Sequence, residues 1–112
     1  MNELKFFIAG TKFRKEENPL QFKDAEVDIL EAYNDSSAYV TFKPQPDNTF
    51  DPCAVMIYLG GLTDDHFMGY VPKTVSAQVS ALLEVEDVLS INLTIHDTPK
   101  LYQKYEIAIE WE

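Results

Sequence analysis

The sequence is poor in cysteine, in positive charge and in long apolar runs. Its single cysteine, Cys53, has no partner for an internal disulfide, which points to the cytoplasm or another reducing compartment. Nine Lys and Arg stand against nineteen Asp and Glu, giving a formal charge of −10 and a pI near 4.5. That balance disfavours broad, phosphate-driven binding to long nucleic acids. It leaves room for a small basic pocket on an acidic surface. The longest apolar stretches, Phe6–Ala9 and Ala54–Leu59, are too short to cross a bilayer. The N-terminus has no basic run followed by a long apolar segment, so no signal peptide is expected. Repeats, low-complexity tracts and Pro/Gly/Ser-rich linkers are also missing.

What is present is enough for one core. The chain has 112 residues, of which 46% are apolar, and residues 1–112 are expected to form a single domain. The strand signals are strong. Ala38–Phe42 is rich in β-formers. Leu89, Ile91, Leu93 and Ile95 alternate with polar residues, and so do Tyr105, Ile107, Ile109 and Trp111. These faces, Leu89 included, are expected to be buried. Residues 5–13, 24–33 and 53–59 are further strand candidates, the last apolar on both faces as a covered strand would be. One helix is expected over 74–84, where Val75, Val79, Leu82 and Leu83 follow Pro72 at helical spacing. Gly60-Gly61 marks a turn, and Lys43–Asn48, with two prolines, a stiff polar connection. The fold class expected is therefore all-β with one inserted helix. A small barrel of six or seven strands would leave no exposed sheet edge.

The segment from Pro46 to Lys73 carries the most information. It contains Asn48-Thr49-Phe50-Asp51-Pro52-Cys53-Ala54-Val55 and later Gly69-Tyr70-Val71-Pro72-Lys73. This resembles the HIRAN domain, which pairs an Asn-x-aromatic-Asp-x-x-Ala segment with a Gly-aromatic-hydrophobic-Pro-basic segment. Ile8-Ala9-Gly10-Thr11-Lys12-Phe13 is similar to the end of that family's first strand. The resemblance is strongest over residues 5–85, leaving two C-terminal strands in 86–112. It implies an OB-like barrel of the kind attached to fork-remodelling helicase-type ATPases in DNA repair and replication. There it captures single-stranded DNA 3′ ends, with rings stacking on bases, an acid meeting the terminal hydroxyl and cations on phosphates. Position by position, the resemblance points to Lys12, Phe13, Asn48, Phe50, Asp51, Tyr70 and Lys73 as nucleic-acid-binding residues.

The residues themselves fit this role. Phe13, Phe50 and Tyr70 offer π faces, and stacking contributes about 1–3 kcal/mol per base. Lys12, Lys73 and Arg14 offer charge. Asp51 would accept a hydrogen bond from a hydroxyl and repel a phosphate. A second reading stays open. Asp47, Asn48 and Asp51 beside prolines are also what a tight loop uses to bond its own backbone. Some positions depart from the family pattern: Thr49 stands where proline is common, Phe50 where tyrosine is, and Lys12 replaces an arginine that would contact phosphate bidentately. No ATPase or RING segment accompanies the motif, so the chain is expected to be free-standing or an excised module.

Catalytic signals are missing. His66 after Asp64-Asp65 lacks the companions of a metal site and reads as part of a solvated turn. His96, beside Asp97, reads as a surface ion-pair residue. Cys53 reads as a small core residue of an apolar strand. Glu16-Glu17 and Glu84-x-Glu86-Asp87 read as solvated charge. No cofactor motif is present, and an enzyme is not expected. Two functions compete: a module binding single-stranded DNA ends, and an acidic protein-interaction module that keeps the barrel and meets a basic protein partner. The oligomeric state is not readable from these patterns.

Overall fold

The computed structural model describes residues 1–85 and 88–112. Glu86 and Asp87, from the acidic cluster expected to be solvated, lie outside the described residues. Strand β1 (Asn2–Phe7) is followed by two helices, α1 (Thr11–Glu17) and α2 (Pro19–Asn34). Then come β2 (Val40–Pro44), β3 (Val55–Gly60), β4 (Asp65–Tyr70), helix α3 (Lys73–Val85), β5 (Val88–Ile95) and β6 (Tyr105–Trp111). Helix α3, β5 and β6 lie where the hydrophobic periods place them.

The strands form two antiparallel sheets, ordered β1-β6-β5 and β2-β3-β4. On one side they meet at a single bridge, where Ala9 and Tyr70 exchange two 2.8 Å backbone hydrogen bonds. On the other side β2 approaches β5 without a ladder among the described residues. A cleft of about 340 Å³ lined by Tyr39, Val40, Ile91 and Leu93 opens at that seam. The arrangement is broadly OB-like, but the expected closed barrel is not formed. With three helices the domain is β-rich and not all-β.

Residues 24–33 are the interior of α2 and not a strand. Asn18 caps the helix, accepting a hydrogen bond from Gln21 N, and Pro19 occupies its first turn. Phe22, Ala25, Ile29 and Ala32 are buried at helical spacing, while Val27 and Leu30 face outward. A short run of Val, Ile and Leu is ambiguous by composition, and the cap decides it. Residues 5–13 likewise divide. The strand stops at Phe7, Gly10 turns the chain at φ 83°, and Lys12 and Phe13 belong to α1.

The core is contributed by every layer: Val55, Ile57, Leu59 and Met68 from one sheet, Ile107 and Ile109 from the other, Ile29 from α2 and Val79 from α3. Burying each side chain stabilises the fold by about 1.5–3 kcal/mol. On β5, Ile91, Leu93 and Ile95 are half-buried against this core, but Leu89 is 56% exposed. The register slips between Val88 and Ser90, so the bulge turns Leu89 outward and Val88 packs inward in its place. Strand β3 is buried on one face only. Met56 and Tyr58, on the other face, remain half-exposed.

Gly69 holds the two sheets together by having no side chain. A Cβ there would stand 2.1 Å from the Ala9 carbonyl oxygen, the partner of Tyr70 in the bridge. The β3–β4 turn at Gly61 is pinned to α2 instead. Asp28 accepts hydrogen bonds from Thr63 N and Thr63 Oγ1 and pairs with His66 Nε2 at 2.7 Å. His66 is thus a partly buried strand residue, not part of a solvated turn. These bonds, led by that to His66, hold the Asp28 carboxyl below its ordinary pKa.

Candidate functional site

The loop between β2 and β3 is built from its own polar side chains. Asn48 Oδ1 accepts from Phe50 N at 2.9 Å and Asp51 N at 3.0 Å. Asp51 Oδ1 accepts from Cys53 N at 2.9 Å. Asn48 Nδ2 donates to Gln45 Oε1 at 2.8 Å, and Tyr70 Oη donates to the same oxygen at 3.3 Å. The tight-loop reading of Asn48 and Asp51 is therefore correct as far as it goes. Its consequence is a fixed loop with Phe50 at its tip, 88% exposed. An exposed ring on a pre-ordered loop loses little further freedom when it binds.

Asp51 links this loop to α3. Its Oδ2 accepts a 2.7 Å hydrogen bond from Ser76 Oγ. That bond first, then the bond from Cys53 N, keeps the carboxyl below its ordinary pKa against the opposing effect of burial, and the nearby Lys73 charge adds a smaller lowering. An ionised carboxylate has about four acceptor positions, and protein donors occupy two. Asn48, Phe50, Asp51, Tyr70 and Lys73 thus form one connected neighbourhood. Cys53 is half-buried in the loop ahead of β3, not in the apolar strand.

Lys12 and Phe13 lie apart from it on α1, which packs beside β4. Lys12 is largely exposed and sits 3.8 Å from Glu16, its helical neighbour. Phe13 is 64% exposed. Of the α1 cations it is Arg14 that reaches the sheet, lying 4.8 Å above the Phe67 ring. Phe67 in turn meets Tyr70 edge-on at 5.5 Å and Tyr58 at 5.4 Å. Lys43 stands 4.5 Å over Tyr58. Gln45, Ser76, Tyr58 and Phe67 escaped the sequence reading. An aromatic residue on the face of β3 that the core does not need was the available signal for Tyr58. His96 pairs with Glu106 at 3.1 Å, across the β5–β6 ladder, and not with Asp97.

Among the described residues no group of His, Cys, Asp and Glu is arranged to hold a metal ion. The conspicuous features are exposed or half-exposed rings, a lysine and an oriented carboxylate. That is the equipment of a binding module. Compared with protein families, the chain matches the HIRAN domain over residues 1–112, its whole length. It belongs to the HIRAN domain family, whose domain is a nucleic-acid-binding module and not itself a catalyst. Searches of curated proteins and of solved structures gave no match.

Proposed function

We propose that this domain binds single-stranded DNA by its 3′ end, at a pocket formed by the 45–54 loop and the start of α3 around the bound end. The observation that carries this reading is Phe50, an 88% exposed ring on a loop whose backbone is held by Asn48 and Asp51. Phe50 stacks on a terminal base. Asp51, kept ionised, accepts a hydrogen bond from the terminal hydroxyl. Lys73 meets a nearby phosphate, and Tyr70 supports the next base. Lys12 and Phe13 extend the surface from α1. Discrimination comes from the carboxylate: a strand that continues, or ends in phosphate, brings negative charge against Asp51.

Fluorescence anisotropy with short single-stranded oligonucleotides tests the reading. The wild type should bind, and Phe50→Ala should weaken binding about tenfold, within the range of one lost stack. Because Phe50 is exposed, the variant should melt as the wild type does. Unchanged affinity in a folded Phe50→Ala would remove the ring from the site.

A further inference from the structure

The outer face of the β2-β3-β4 sheet carries a row of rings continuous with the loop pocket. Cross-strand partners share a face, so Thr41, Tyr58 and Phe67 form one rung, and Lys43, Met56 and Tyr70 the next. On the opposite face the central strand's Val55, Ile57 and Leu59 are fully buried. The core therefore has no use for Tyr58 and Phe67. Both rings are half-exposed, and each carries a cation, Lys43 over Tyr58 and Arg14 over Phe67. A cation over a ring is attracted by the π quadrupole; Arg14 is at the same time paired with Glu17 at 2.8 Å.

Tyr70 belongs to both places. Its hydroxyl bonds Gln45 of the loop, and its ring stands at 90° to Phe67. From the pocket the surface runs without a gap through Tyr70 to Phe67 and Tyr58. Charge sets the occupant. In a chain of net charge −10, two cations on adjacent rings form a local exception. Aromatic faces interleaved with cations suit an unpaired strand, whose bases stack while its phosphates meet the charges. Arg14 and Phe67 also line the edge of a cleft of about 410 Å³ whose other walls are acidic, with Glu17, Asp24, Asp28, Asp64 and Asp65. A polyanion is repelled from that side.

The geometry points to a second DNA subsite on this face: Tyr58 and Phe67, with Lys43 and Arg14, hold the nucleotides that precede the captured 3′ end. This subsite rests on the end-binding reading and extends it, since the pocket supplies the strand that the sheet then carries. The face acts as a track giving affinity with no preference for the terminal group, while the pocket gives the end preference.

The test is a length series of oligothymidylates, from about two to ten nucleotides, which starts below and runs into the usual site size of such a fold, about 4–16 nucleotides. Each length is measured with a 3′-hydroxyl and with a 3′-phosphate. Wild-type affinity should rise with length beyond the shortest oligonucleotide that binds, and Phe67→Ala and Tyr58→Ala should remove about tenfold of that gain. The ratio between the two ends should stay as in the wild type. Lys43→Glu, an exposed change that leaves the core untouched, should reduce the gain in the same way and covers the case in which a ring variant fails to fold. A gain with length that survives Lys43→Glu and the folded ring variants, or no gain at all, overturns the track. End discrimination retained in that case leaves the pocket standing. A length gain without end discrimination refutes the pocket instead, and no binding at any length refutes both.

Discussion

Ser76 Oγ donates a 2.7 Å hydrogen bond to Asp51 Oδ2, across 25 residues of sequence, and so ties α3 to the 45–54 loop. Ser76 is buried although its helix is otherwise buried through Val79 and Leu82.

The first prediction concerns this bond. Ser76→Ala should raise the Asp51 pKa toward the ordinary aspartate value, about 3.9, because the largest cause of its lowering is removed. The sign for stability follows. A carboxyl whose folded pKa is depressed contributes above its unfolded pKa and loses that contribution as pH falls through the folded value. The Asp51 contribution should therefore be constant at neutral pH and vanish only in strong acid. An NMR titration of the Asp51 carboxyl carbon in both proteins measures this. Coincident titrations would show that Ser76 does not hold the carboxylate.

A second prediction concerns the junction of the sheets. Gly69→Ala drives a Cβ into the Ala9 carbonyl and forces a residue with a side chain to φ 156°. Backbone strain of this kind costs about 1–3 kcal/mol before the clash is counted. Thermal unfolding should show the loss, and amide exchange at Ala9 and Tyr70 should rise more than at Ile109. A variant as stable as the wild type would mean that the bridge is not needed.

A third prediction separates the core from the bulge. Ile107→Ala should cost about 2–5 kcal/mol, the range for a buried side chain. Leu89→Ala should lie within about 0.5 kcal/mol, as surface changes do. Ile91→Ala, half-buried, should fall between them. Denaturant unfolding of the three variants gives the order, and a large effect at Leu89 would contradict the register slip.

The elements legible in the sequence are those with a clean period and a clear edge. Ile107 and Ile109 alternate with polar neighbours, and Val75, Val79 and Leu82 repeat every turn after Pro72. The first helices were hidden because Val27, Ile29 and Leu30 read as a strand by composition. Only the Asn18-Pro19 cap and the spacing of Phe22, Ala25, Ile29 and Ala32 show the helical face. Leu89 was misplaced because a bulge is a property of two strands and leaves no mark on one. In the site, Asn48 and Asp51 were legible because their bonds are local, and local turn chemistry can be read from neighbouring residues. Ser76 and Gln45 act on Asp51 and Tyr70 from 25 residues away, and only the fold brings them together.

Salt dependence gives a further check on the site. Lys12 and Lys73 at the end site release few counterions, so the affinity of the shortest oligonucleotides that bind should fall only mildly between low and physiological salt. A steep decline would indicate a broad phosphate-binding surface, at odds with the excess of nineteen acids over nine bases.

The most direct test of the account is a titration with two oligonucleotides identical except at the 3′ end, one hydroxyl and one phosphate. The hydroxyl end should bind more tightly, because it donates to Asp51 where the phosphate brings like charge. A phosphate moved to the 5′ end should change little. Asp51→Asn should narrow the difference, since the amide carries no charge and donates to phosphate oxygens. Equal affinity of the wild type for both ends would contradict end recognition and favour a protein-interaction role for this acidic domain.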